Sequence, residues 1–325
     1  MLAPDVATSD ELRTCRELVR SGRIRQALVR AARLEKAHHA AERTGGLAVL
    51  IECRLARGEL AGAIRAAEPL AALQDEPGVT GAVASYALAE LATACGDHDT
   101  AAALYNEAGC GLGGFDDPLL LPWRAGAALA MTRLSRHRDA RLLAHAHLDL
   151  CRRTDSAYAV AQALRTVAAT DPGSRDREAM LREAVATLSD TLAGRLSAQI
   201  ATDLAALLVL HGAFGSARER EEAVGLLRGA EAYAAREDLP PLLDRIARQL
   251  VLLGEEPCRQ RRELLAGLTS TEQRAAELAA DGLKNREIAA TLDVTVKAVE
   301  WHLSNIYKKL GISGRAGLLE AFGAN

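Results

Sequence analysis

Aromatic residues are scarce in this 325-residue chain: Phe, Trp and Tyr together make 3%, against 49% hydrophobic residues. With so few rings, the interior must be built from Ala, Leu and Val, which favours closely packed helices over sheets. No apolar run reaches about 18 residues, so no membrane-spanning helix is expected. The opening residues, MLAPDVATSDELRTC, hold no apolar signal core, and a cytoplasmic protein is expected. Six cysteines (Cys15, Cys53, Cys95, Cys110, Cys151, Cys258) occur without any Cys-x-x-Cys spacing. They fit reduced, mostly buried small hydrophobes rather than a disulfide set or a metal site. Neither charge sign dominates, with a formal net charge of −3. A phosphate-binding Gly-x-x-x-x-Gly-Lys-Ser/Thr pattern is missing. Acidic residues alternate with Arg on expected helix exteriors, so no catalytic constellation forms. The expectation is a protein that is not an enzyme and needs no cofactor.

What the chain has in quantity is a repeat. A small residue is followed five positions later by Ala at Gly22/Ala27, Gly58/Ala63, Gly96/Ala101, Ser135/Ala140, Ser174/Ala179 and Gly212/Ala217. Successive spacings are 36, 38, 39, 39 and 38 residues. The small residue suits a turn between paired helices, and the Ala lets them approach closely. In the last unit, Ala217 or Ala223 could hold the register. Asp117-Pro118, Asp171-Pro172 and Glu76-Pro77 suit a cap with Pro at the first helical position. Residues 1–253 are therefore expected to form a helical solenoid similar to tetratricopeptide repeats, with an irregular helical bundle as the alternative. A linker at 254–267 would follow, with Arg259, Arg261 and Arg262 solvated among glutamates. Stacked helix pairs leave a concave groove suited to a peptide or small-molecule effector. Tyr86, Tyr105, Trp123 and Tyr158 either line it or fill gaps in an Ala-rich core.

Residues 268–325 read differently. Thr269 with Glu272 three positions on is a capping box for a first helix starting at Ser270, ended by Asp281-Gly282. Asn285 can cap a second helix, 286–292, burying Ile288, Ala289 and Leu292. Asp293-Val294-Thr295 is a tight turn, with Val294 plugging the angle and Thr295 capping a third helix that Gly311 ends. On that helix Val299, Leu303, Ile306 and Leu310 fall within about 60° of one another. Lys297, Glu300, Trp301, Ser304 and Lys308 form the opposite stripe. Two helices about a short turn, the second presenting a polar face, is the helix-turn-helix plan. Seven basic residues (274, 284, 286, 297, 308, 309, 315) balance seven acidic ones (272, 277, 281, 287, 293, 300, 320). Placement rather than net charge points to DNA, because Lys297, Lys308, Lys309 and Arg315 sit on or just after the third helix.

Here the chain resembles LuxR/GerE-type response regulators, over about 58 of its 325 residues. The matching elements are Leu268-Thr269, Glu272, Gly282-Leu283, Asn285, Glu287-Ile288-Ala289, Leu292, Val299, His302-Leu303, Ile306, Lys309-Leu310-Gly311 and Arg315. The promoter-reading end of sigma factors shares Glu287-Ile288-Ala289 and the turn, but the run from Trp301 to Gly311 fits the LuxR type better. Ala298 and Glu300 stand where that family often has Thr and Lys, which bears on base preference. The resemblance implies an all-α transcriptional regulator, an activator, that binds double-stranded DNA and contacts RNA polymerase. Expected DNA contacts are Lys284, Asn285, Thr295, Lys297, Glu300, Trp301, Ser304, Asn305, Lys308 and Lys309. A fourth helix, 314–322, would make the homodimer contact through Leu318, Leu319 and Phe322. A helical repeat ahead of such a domain resembles the C-terminal part of the large ATP-dependent LuxR-type activators, here without the ATPase signature. The alternative is a helical-repeat scaffold in which DNA binding is secondary.

Three further motifs have plain explanations. Gly109-x-Gly111-x-x-Gly114 mimics a phosphate cradle but follows a helix, so a loop between repeats is expected. His145 and His147 lie about 200° apart on a helix, too far to share a metal, and with Asp149 fit a polar helix face. His302 fits a scaffold position at the edge of the third helix's buried stripe.

Overall fold

The computed structural model describes residues 9–114, 116–211, 217–257, 268–280, 283–292, 294–310, 312, 314, 315 and 318. Helices are the only regular elements among the described residues. The chain separates into two compact units, Met1–Leu253 and Gly254–Asn325.

The first unit runs through α1 (Asp10–Arg20), α2 (Ile24–Leu34), α3 (Ala40–Ala56), α4 (Leu60–Ala71), α5 (Val79–Cys95), α6 (His98–Gly111), α7 (Trp123–Arg133), α8 (His137–Cys151), α9 (Ala157–Thr170), α10 (Arg177–Thr187), α11 (Gly194–His211), α12 (Ala217–Glu237) and α13 (Pro240–Leu252). One turn recurs between partners. Gly22, Gly58 and Gly96 take φ of 81°, 73° and 83°, and Ser135 takes 61°. The next amide then donates back five residues, Arg23 to Leu18, Glu59 to Arg54, Asp97 to Ala92 and Arg136 to Met131, at 2.7, 2.8, 3.0 and 2.9 Å. This is the Schellman stop, whose left-handed residue satisfies the last carbonyls of the first helix. Behind each turn Ala27, Ala63, Ala101 and Ala140 are fully buried.

The repeat loosens after α9. Ser174 is not left-handed, Ala179 and Ala217 are exposed, and Gly212 lies outside the described residues. Leu181 and Ala184 take the buried positions of α10, and Ala223 those of α12. In place of a Schellman stop, Arg177 donates from Nε to the Ala168 carbonyl at 2.9 Å. Pro77, Pro118 and Pro172 precede their helices by two, five and five residues instead of opening them; Pro240 stands at a helix start. Gly109 and Gly111 close α6 rather than forming a loop, and a Cβ on Gly109 would meet the Trp123 ring at 2.4 Å. His145 and Asp149 are exposed, but His147 is buried against Cys151, its Nε2 3.5 Å from Sγ. Burial pushes the His147 imidazole down to about 4. It is a core histidine, not part of a polar face. Cys15 and Cys53 are buried too, whereas Cys95 and Cys110 are exposed.

Each helix packs on its successor, and α1, α3, α5, α7 and α9 also touch in series as one layer. The ends of the series meet. α1 contacts α11, and α3 contacts α13. The Tyr233 hydroxyl donates to the Gly22 carbonyl at 2.7 Å, the Arg25 amide donates to Glu237 Oε2 at 3.2 Å, and Arg57 pairs with Asp238 at 2.7 Å. One continuous core accordingly runs from Leu12 to Leu250. Helices α1, α3, α5, α7, α9 and α11 line a partly open cavity.

The second unit contains α14 (Ser270–Ala280), α15 (Asn285–Leu292) and α16 (Val296–Leu310). Leu268, Ala275, Ala276, Ala279, Ile288, Ala289, Val299, Leu303, Ile306 and Leu318 form its core. Asp281, Gly282, Gly311 and residues 258–267, including Arg259, Arg261 and Arg262, lie outside the described residues.

Candidate nucleic-acid interface

Each of α14, α15 and α16 begins with a side-chain hydrogen bond to the backbone at its first turn. At α14 the Thr269 amide donates to Glu272 Oε2 at 2.7 Å, and the Glu272 amide donates to Thr269 Oγ1 at 3.3 Å. That is a reciprocal capping box. At α15 the Lys284 amide donates to Glu287 Oε2 at 2.6 Å. Lys284 therefore occupies the cap, and Asn285 is the first helical residue rather than the cap. The Glu287 carboxylate, three residues on, satisfies the Lys284 amide, and no Asn285 side-chain cap forms among the described residues. At α16 the Ala298 amide donates to Thr295 Oγ1 at 3.1 Å. Between α15 and α16 the Val294 amide donates to the Ala289 carbonyl at 3.0 Å, and Val294 packs on the core.

With both ends of the turn fixed, α16 has a defined rotation. Val299, Leu303 and Ile306 are buried. Lys297, Glu300, Trp301, Ser304 and Lys308 are exposed on the other side. Trp301 is 62% exposed, an unusual state for an indole. Its ring meets the His302 ring edge-on at 5.1 Å. Neither Lys297 nor Lys308 forms an ion pair among the described residues. From Lys297 to Lys308 the helix rises about 16 Å. A single helix fits a major groove of about 12 Å width.

Other cations are committed within the unit. Lys309 Nζ lies 2.9 and 2.7 Å from the two carboxylate oxygens of Glu272, which is only 4% exposed. This bond ties the last turn of α16 to the first turn of α14. Lys309, together with the Thr269 amide, holds the Glu272 carboxyl down to about 2. Arg315 donates from Nε to the Ala279 carbonyl at 3.1 Å and from Nη2 to the Leu283 carbonyl. It closes the C-terminal end of α14, where a cation suits the helix dipole. Lys309 and Arg315, which sequence position groups with the DNA-facing cations, also brace the unit.

Leu318 is fully buried in the core of the unit and is not a free dimer surface. An apolar side chain with a complete intramolecular environment has nothing left to offer a second copy. Leu319 and Phe322 lie outside the described residues. Asn305 is half-buried, and Lys284 and Thr295 are exposed near the turns.

Comparison with known proteins falls on this unit. The family described as bacterial regulatory proteins, luxR family, matches residues 266–321. The probable transcriptional regulatory protein SgaR of Hyphomicrobium methylovorum is 32% identical over 105 residues, 32% of this chain and 44% of that protein. Response regulator protein VraR of Staphylococcus saprophyticus is 42% identical over 57 residues, 18% of this chain and 27% of that protein. An HTH-type transcriptional regulator of Mycobacterium bovis, Mb0914c, is 40% identical over 53 residues, 16% of this chain and 6% of that protein. The chain thus spans less than half the length of each of these relatives. A structure of an IFIT1 monomeric mutant with Gppp-AAAA aligns over 96% of this chain and 80% of that one, at 13% identity and a TM-score of 0.35. That score fixes neither topology nor function. The capped helices α14, α15 and α16, the exposed α16 face and these matches agree: residues 266–321 are a LuxR-family helix-turn-helix domain.

Proposed function

We propose that the protein is a cytoplasmic, sequence-specific DNA-binding transcriptional activator governed by its N-terminal helical unit. The observation that carries this is the exposed α16 face, with an unburied Trp301 between Lys297 and Lys308 on a helix anchored by Val299, Leu303 and Ile306. Glu300, Trp301 and Ser304 read base edges, Lys297 leads in, and Lys308 holds a phosphate. Lys284, Asn285 and Thr295 approach the backbone at the turns, and Asn305 flanks the reading face. A neutral domain gains little from phosphates alone, so two copies bind a twofold-related site. With Leu318 committed to the core, the contact between copies falls to Leu319 and Phe322. RNA polymerase is the downstream partner. The tetratricopeptide-like first unit, far larger than DNA binding needs, receives an effector without ATP.

A reporter behind a bound site tests this. The full chain should raise transcription, and Lys297→Ala with Trp301→Ala should remove that rise. The fragment 254–325, which has its own core, should bind DNA and lose regulation. Equal output from the fragment and the full chain would overturn the regulatory part, and output that ignores the α16 substitutions would overturn the DNA-reading part.

A further inference from the structure

Helices α1, α3, α5, α7, α9 and α11, with Tyr105 of α6 and residues 119–122, line a partly open cavity of about 320 Å³, the size of a small-molecule site. Six charged side chains line it: Arg16 and Arg20 from α1, Glu52 from α3, Glu90 from α5, Arg165 from α9 and Arg195 from α11. Four of them have partners. Arg195 Nη1 lies 2.6 Å from Glu52 Oε1. Arg165 Nε lies 2.6 Å from Asp203 Oδ2, and its Nη1 donates to Gln199 at 3.3 Å. Glu90 accepts from the Tyr105 hydroxyl at 2.5 Å, and burial pushes its carboxyl up.

Arg16 and Arg20 are left over. They stand four residues apart on one face of α1, where like charges repel. Arg20 has a single neutral partner, donating from Nη2 to the Leu119 carbonyl at 2.9 Å. Arg16 makes neither a hydrogen bond nor an ion pair among the described residues. Burial, then the charge of Arg20, lower its guanidinium, with Asp117 opposing from beyond ion-pair distance. Two cations on one helix face, neither paired with a carboxylate, weaken the empty fold. Such an arrangement makes sense when something else brings the negative charge.

The rest of the wall describes the body of that molecule. Tyr86, Tyr105 and Tyr158 supply ring faces, and the Tyr86 and Tyr105 rings stack edge-on at 5.5 Å. A Cβ on Gly126 would meet the Tyr105 ring at 2.3 Å, so the glycine is what lets that ring lie in the wall. Gln162 and Gln199 add polar side chains to the lining. We propose that this cavity binds a small organic anion, its carboxylate or phosphate held by Arg16 and Arg20 and its body against the tyrosines. The proposal rests on the effector role assigned to this unit and names the chemistry of the effector.

Thermal melting of the full chain tests it, with glucose 6-phosphate and phenylacetate as anionic probes. Glucose and phenylacetamide serve as neutral counterparts, and inorganic phosphate as an ion without a body. At least one organic anion should raise the melting temperature of the first unit by several degrees at saturation. Its neutral counterpart should not, and inorganic phosphate should do so less. Which of the two anions acts separates a phosphate ester from a carboxylate. Arg16→Gln should melt roughly 2–4 °C higher than wild type without any probe, because the repulsion is gone. It should also lose the anion shift, whereas Arg16→Lys should keep part of it. A shift that survives in Arg16→Gln, an equal shift from the neutral compounds, no shift from either organic anion, or a lower melting temperature for probe-free Arg16→Gln would each overturn the site. Regulation is judged separately, by the reporter comparison of the full chain with residues 254–325. An anion that binds without changing reporter output sinks the regulatory role and leaves the site standing.

Discussion

Lys308 and Lys309 are neighbours in sequence and have different jobs. Lys308 is exposed on the face it shares with Trp301, while Lys309 is bound to the buried Glu272 across the unit. Lys308→Ala should weaken binding to all DNA sequences alike and make the salt dependence shallower by roughly 0.9 in slope. Lys309→Ala should instead cost the second unit about 1–3 kcal/mol of stability, because Glu272 is left buried without its cation. Melting and a salt titration on the two variants separate these outcomes. Trp301→Ala should leave melting nearly unchanged, given its exposure, and relax preference at one or two base pairs by about 1–3 kcal/mol each. The helical period alone places Lys308 and Trp301 outside, since both lie opposite Val299 and Leu303. It cannot reveal a bond between residues 37 positions apart, so Lys309 and Arg315 read as two more surface cations.

At the scale of elements, the stops between helices were legible and the exceptions were not. Gly22, Gly58 and Gly96 announce left-handed turns because glycine alone enters that region freely. Ser135 belongs to the same series with φ 61°, at a cost of about 1 kcal/mol for a residue with a Cβ. Ser135→Gly should recover about that much, seen as a higher melting temperature for the first unit; an unchanged value would mean that the Ser135 hydroxyl compensates. Asp238, at φ 57°, makes the same stop before α13 without any glycine to signal it. The α14 capping box also predicts a pH dependence. Glu272 has a folded value of about 2 against 4.5 ordinarily. A depressed carboxyl stabilises fully above its unfolded value, and that contribution is lost as pH falls toward the folded one. The second unit should lose stability between about pH 4.5 and 2, and Glu272→Gln should be flatter over that window. Leu318 shows the opposite limit of sequence reading: a short apolar stripe on a terminal helix looks like a dimer face until the core that receives it is seen. Leu318→Asp should therefore unfold the second unit, where a dimer contact would have left it folded.

At the scale of the molecule, periodicity in the first unit foretold paired helices but not their closure. Gly22 against Tyr233, Arg25 against Glu237 and Arg57 against Asp238 join positions about 200 residues apart, and no local pattern encodes such contacts. These contacts join the two ends of the helix series, and Tyr86, Tyr105 and Tyr158 stand in the wall of the partly open cavity it holds. The second unit was more legible because its signals are local: caps three residues from their partners, a short turn, and one amphipathic helix. The central claim is that the exposed face of α16 reads DNA, and its most direct test is selection of random duplexes by the purified full chain, sequenced in parallel for wild type and Trp301→Ala. The account predicts a twofold-related motif for wild type and the same motif, degenerate at one or two positions per half, for the variant. No enriched motif, or a motif that Trp301→Ala leaves unchanged, would contradict it.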